Sequence, residues 1–264
     1  MKTLKLVNAA GEVLCEASGG QAVSLTFERS YQPGDCLVYE SDEPYVYASA
    51  DAFLSPAYLY LPEGRLTYAV PTAEDDLLAY SPLAFRPGLH TAFLAGAAAA
   101  KDVRRDLALN PLARRQFAGA YPFVSANVET RDEPVFFARN VVDGLQTNTS
   151  HGFWPWESWG IGLSETAELT VDFGRPVTVD SLALTLRADF PHDAYWKQAT
   201  VTLSDGTDLT FPLEMSDKPQ LITLEQPHVI TSLRLHSLVK QVMDSPFPAL
   251  RCLQVFGTWT CGRQ

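Results

Sequence analysis

Little in this sequence is arranged to hold a metal, cross a membrane or meet nucleic acid. Its four cysteines, Cys15, Cys36, Cys252 and Cys261, form no C-x-x-C pair, and no histidine stands at zinc-finger spacing from them, which argues against a zinc site. No apolar run reaches the length of a membrane span, and the opening "MKTLKLVNAAGEVLCEA" lacks the hydrophobic stretch of a signal peptide. The expectation is a cytoplasmic protein with reduced thiols, or an exported one whose leader has been removed. Basic residues are scarce: 20 Lys and Arg stand against 31 Asp and Glu, a formal charge of -11. Such a field repels phosphate backbones and anionic lipid, so neither nucleic acid nor membrane is an expected partner. There is no G-x-S-x-G, no H-E-x-x-H and no phosphate-binding glycine loop, and no repeat of fixed period.

What remains is an ordinary globular composition, 46% hydrophobic and 19% charged over 264 residues. That length suits two modest domains or one large β domain. Residues 2 to 72 alternate short β-type runs with turn signals, as in "TLKLV" then "NAAGE" and "CLVYE" then "SDEP", the pattern of an antiparallel β domain assigned to residues 1–87. Residues 88–119, "GLHTAFLAGAAAAKDVRRDLALNPLARRQFAG", are rich in alanine, leucine and arginine. They are expected to form a short helical connector whose apolar side carries Leu94, Val103, Leu107 and Leu109. From residue 120 to 264 the alternation returns in "AELTVDF", "VTVDSLALTLRA", "QATVTLSDGTDLTF", "VITSLRLHSLV" and "LRCLQVFGTW". The reading is mainly β, ending in a jelly-roll β-sandwich with a hairpin turn at Asp205-Gly206.

Three polar and aromatic clusters lie between those strands. The first, "NTSHGFWPWESWGIG" at residues 148 to 162, offers His151, Trp154, Trp156 and Glu157. A sugar presents a hydroxylated rim and a C–H face, and so asks for a flat aromatic surface beside hydrogen-bonding side chains. Trp154 and Trp156 flank a proline and follow no strand or helix period, which favours an outward position. Trp159, at a strand entrance beside Gly160, reads better as core. The second cluster, "LRADFPHDAYWKQ", supplies Arg187 as a donor fork, Asp189 and Asp193 as acceptors, His192, Trp196 as a platform, and Lys197. Both clusters are expected around one shared pocket. The third, "KQVMDSPFPAL", holds Lys240, Asp244 and Ser245 in a proline-stiffened loop.

The run "ARNVVDGLQTNTSHGFWPWESWG", then "AELTVDFGRPVTVDSLALTLRADFPHDAYWKQATVTLSDGT", then "PFPALRCLQVFG" resembles the galactose-binding-like jelly roll. That is the discoidin or coagulation-factor C-type superfamily, which includes many carbohydrate-binding modules. The resemblance covers roughly residues 120 to 260. It implies a non-catalytic protein that grips a glycan or oligosaccharide through its loops. The alternatives are a sugar-acting enzyme using the carboxylates and histidines of the same loops, and a module for protein interaction. It also implies a structural calcium held by the Asn140 to Asp143 turn and by a carboxylate near the closing strand. Here Cys252 and Gln254 stand where that carboxylate is expected, so the expectation is no metal and no cofactor. Oligomeric state is not legible.

Overall fold

The computed structural model describes residues 1–149, 151–188 and 194–259. It is mainly β, in two units. The first has eight strands: β1 (Lys2–Val7), β2 (Val13–Gly19), β3 (Ala22–Arg29), β4 (Cys36–Ser41), β5 (Tyr45–Ser49), β6 (Ala57–Tyr60), β7 (Arg65–Ala69) and β8 (Gly88–Gly96). They form two four-stranded antiparallel sheets, ordered β2-β1-β4-β7 and β3-β8-β5-β6. Period-two alternation turns Leu4 and Leu6 of β1 and Leu66 and Tyr68 of β7 inward, where they meet Leu59 and Leu94 from the facing sheet. A single helical turn, α1 (Glu74–Leu77), closes one end with Leu77 buried.

The stretch expected as a helical connector differs in detail. Its first third is β8, which pairs with β3 from Gly88↔Arg29 to Ala95↔Ala22. Inward His90, Ala92 and Leu94 follow a period of two. Alanine and leucine favour helix on their own, but a complete ladder with β3 and a place in the core outweigh that preference. The alanine run yields one 3-10 turn, Ala98–Ala100. Leu107 is buried as expected, whereas Val103 is exposed.

The second unit contains β9 (Arg105–Asp106), β10 (Phe123–Ala126), β11 (Trp159–Gly160), β12 (Leu169–Leu186), β13 (Trp196–Leu203), β14 (Asp208–Pro212), β15 (Gln220–Lys240) and β16 (Ala249–Trp259). The order is β11-β16-β12-β15-β13-β14, with β10 on β12 and β9 on β16. The long strands β12 and β15 change register at two points, and such irregularities bend a sheet over itself. One core results, holding Trp159, Leu169, Val171, Leu184, Trp196, Val201, Leu235 and Leu253. The β13–β14 hairpin turns at Gly206, φ 91°, as its Asp-Gly pair predicts.

The units meet through aromatic rings and guanidinium groups. Trp259 lies 4.8 Å from the Tyr45 ring and 6.2 Å from Tyr58. Arg105 and Arg175 stand 4.3 and 4.6 Å from the Trp259 ring, close enough for cation–π attraction. No helix among the described residues is long and apolar enough to cross a membrane.

Candidate functional site

The aromatic loop is fastened from below by Arg251. This side chain leaves β16 fully buried, and its Nη2 donates to Glu157 Oε1 at 2.8 Å and to Asp143 Oδ2 at 3.3 Å. Nη1 donates to the Asn140 carbonyl at 3.0 Å, and Nε to the Thr147 carbonyl at 3.2 Å. Glu157 Oε2 in turn accepts the Trp156 backbone N–H at 2.9 Å. Four chain positions between 140 and 157 are therefore held by one cation, and a fifth, Trp156, is held through Glu157. Burial lifts the Glu157 carboxyl above the ordinary range, against the pull of Arg251.

This knot also answers the calcium question. The oxygens implied as calcium ligands, the Asp143 carboxylate and neighbouring carbonyls, are turned onto a guanidinium instead. A divalent ion beside Arg251 would be repelled at close range, and calcium wants six to eight oxygens around itself. The residues present do not fit a calcium ion.

Above the knot sits Trp156, half-buried. Arg187, itself 1% exposed, donates from Nη1 to the Trp156 carbonyl at 2.9 Å and lies 5.6 Å from its ring. Its Nη2 is 3.2 Å from His151 Nδ1. A guanidinium only donates, so this nitrogen is the acceptor. Phe136 meets the indole edge-on at 5.8 Å. Gly160 makes room for this pair, since a Cβ there would lie 2.8 Å from Thr130 Oγ1 and 3.2 Å from the Phe136 ring. Trp156, Arg187, His151, Phe136, Arg131 and Phe247 enclose a cavity of about 310 Å³. A second cavity of about 390 Å³ adjoins it through Ile161, Gly162 and Pro248, and adds Glu165, Trp196 and Lys240. Together they make one groove at the end of the second sandwich.

His151, Trp156 and Arg187 thus come together as the sequence suggested, and the expected single pocket otherwise divides. Trp154 lies elsewhere, beside Arg139, Tyr80 and Phe53 in a small cleft toward the first unit. Glu157 is fully buried beneath the loop and lines neither of these two cavities. Trp196, expected as an outward platform, is instead 1% exposed in the core, 6.2 Å from Trp159, at the wall of the second cavity. The alternation that buries it leaves the next residue, Lys197, exposed on β13. Trp159 is core, as expected, with Nε1 donating to the Val128 carbonyl at 2.9 Å. Asp189, His192 and Asp193 lie outside the described residues. From the third cluster, Lys240 lines the groove. Arg131, Phe136, Phe247 and Arg251 were not anticipated. Only Arg251 carried a sequence signal, as a lone charge within the apolar closing run "ALRCLQVF".

No protein-family profile matches this chain, and no curated protein does. Solved structures similar to it include chitosan-binding module 1 of a chitosanase/glucanase from Paenibacillus sp. IK-5. That match has 20% identity and a TM-score of 0.42, covering 58% of this chain and 99% of the module. The family 32 carbohydrate-binding module of C. perfringens NanJ, solved with galactose, matches at 16% identity and a TM-score of 0.38, over 50% of this chain and 91% of its own. The family 32 module of Streptococcus pneumoniae EndoD matches at 13% identity and a TM-score of 0.41, over 52% and 97%. These three similar structures are carbohydrate-binding modules, and each likeness spans between 50% and 58% of this chain.

Proposed function

We propose that the groove on the second sandwich binds a glycan without altering it. The observation that carries this reading is the Trp156 indole, half-buried in the lining of a cavity and held in place by Phe136 and Arg187. A rigid aromatic face beside fixed donors suits a sugar ring, whose C–H face stacks while its hydroxyls bond at the rim. His151, Arg131 and Lys240 supply hydrogen-bonding groups along the groove. The net charge of -11 leaves neutral ligands unhindered and opposes polyanions.

Hydrolysis needs two carboxylates flanking a bond. Among the described residues the groove is lined by one, Glu165, while Glu157 is sealed under Arg251. Binding to an oligosaccharide array, followed by titration calorimetry of the parent and of Trp156→Ala, tests the proposal. Binding by the parent, weakened at least tenfold in a folded Trp156→Ala, supports it. Turnover of the bound glycan, or binding unaffected by the substitution, overturns it.

A further inference from the structure

Arg139 stands apart from every other arginine around it. It projects from the 3-10 turn Ala138–Val142, is 5% exposed, and lies with its guanidinium carbon 4.3 Å from the Tyr80 ring centroid. Among the described residues it has no ion pair, and its buried Nε has no hydrogen-bond partner. Its neighbours are matched. Arg114 faces Asp76 at 3.8 Å and donates to Tyr80 Oη at 2.9 Å. Arg115 meets Glu129 at 2.9 Å and also Asp132. Arg251 takes Asp143 and Glu157. Arg139 is therefore a surplus cation in a nearly closed place, where an unpaired charge is costly. The face of Tyr80 offsets part of that cost.

The guanidinium lines a cleft of about 100 Å³ between the two units. The same cleft is lined by Trp154, half-buried, and by Ser55 and Ser81. Asp143, which also borders it, is already ion-paired with Arg251. A second opening of about 30 Å³, walled by Arg114 and Arg115, lies on the other side of Tyr80 and Arg139. Fixed positive charge, two serines and an indole are the complement of a carboxylate attached to a small hydroxylated body.

We propose that this cleft binds a small carboxylate, specifically an acidic monosaccharide such as a hexuronate, with Arg139 holding the carboxylate and Trp154 facing the ring. The site is separate from the Trp156 groove and does not depend on the reading of that groove.

The test follows melting temperature and tryptophan fluorescence of the intact chain in chloride-only buffer, with glucuronate, acetate or glucose added. Glucuronate should raise the melting temperature and change the fluorescence at millimolar concentrations, acetate less so, and glucose not at all. Arg139→Met keeps the apolar stem over Tyr80 and removes the charge. It should be at least as stable as the parent without ligand and bind glucuronate at least tenfold more weakly. Leu145→Trp fills the cleft while retaining Arg139, and it should abolish the response as well. A parent indifferent to glucuronate, or a response that survives both substitutions, overturns the site. Equal responses to acetate and glucuronate overturn the assignment of a sugar body.

Discussion

Arg251 and Glu157 meet at 2.8 Å with neither side chain exposed to solvent. One residue belongs to the closing strand and the other to the aromatic loop, so the pair ties the loop to the middle of a sheet. Breaking such a pair leaves a buried charge alone. Arg251→Met should destabilise the protein by about 3–5 kcal/mol, read from urea unfolding, and should loosen Trp156 as the loop detaches. A loss under about 1 kcal/mol would show the contact to be incidental.

The same guanidinium does for the loop what a bound metal ion does elsewhere. Chelation by EDTA should therefore leave the melting temperature of the parent unchanged. Arg251→Ala should behave differently, because it vacates a space facing two carboxylates and two carbonyls. Calcium should raise the melting temperature of this variant and not that of the parent. A parent destabilised by EDTA and restored by calcium would sink the idea.

Burial lifts the Glu157 carboxyl to about 7, against the pull of Arg251 and with help from Asp143. In the unfolded chain the same group has its ordinary value of 4.5. Between those values the folded state holds a proton that the unfolded state has lost. Stability from this group is thus present at the acid end of the interval, falls as pH rises through it, and is level above. Melting curves between about pH 5 and pH 7 should show this decline in the parent, and Glu157→Gln should flatten it. A parent and variant with parallel profiles would refute the assignment.

Two tryptophans once grouped together should respond in opposite ways. Trp196→Ala empties a core position and should cost about 3–5 kcal/mol of stability. Trp156→Ala should leave the fold intact and act on binding, by about 1–3 kcal/mol in the range of aromatic anchors. Circular dichroism melts alongside glycan titrations separate the cases, and a Trp196→Ala protein as stable as the parent would contradict its burial.

At the junction of the units, Trp259 is clasped by Tyr45, Tyr58, Arg105 and Arg175. Removing the indole should uncouple the two sandwiches as well as destabilise the second. Calorimetry of Trp259→Ala should resolve two transitions in place of one cooperative event. A single transition in the variant would mean that other contacts carry the coupling.

The strands were legible because period-two alternation survives wherever one face of a sheet is buried, as in β1 and β12. Gly88–Gly96 was not, since its alanines and leucines favour helix on their own and its partner, β3, lies far upstream in the chain. Within the site, His151 and Trp156 could be read from aromatics set among turn residues. The depth of Trp196 could not, because it depends on Trp159 from another segment. Arg131, Phe136 and Phe247 were silent for the same reason. Arg131 and Phe136 join the groove from the successive turns Thr130–Asp132 and Pro134–Phe136, Phe247 from a distant loop, and nothing local marks them.

The position of β16 has a consequence for how the protein is made. The first sandwich has all eight strands once Gly96 has emerged from the ribosome. The second cannot close its sheet, because β16 lies between β11 and β12 and also carries β9. Until Ala249–Trp259 arrives, β12 presents an open edge, with Leu182 and Leu184 lacking the cover that β16 gives them. An unpaired apolar strand edge invites wrong partners. The interval between the emergence of β12 and that of β16 is therefore the stretch of synthesis in which this chain is most exposed to aggregation, and most in need of a chaperone.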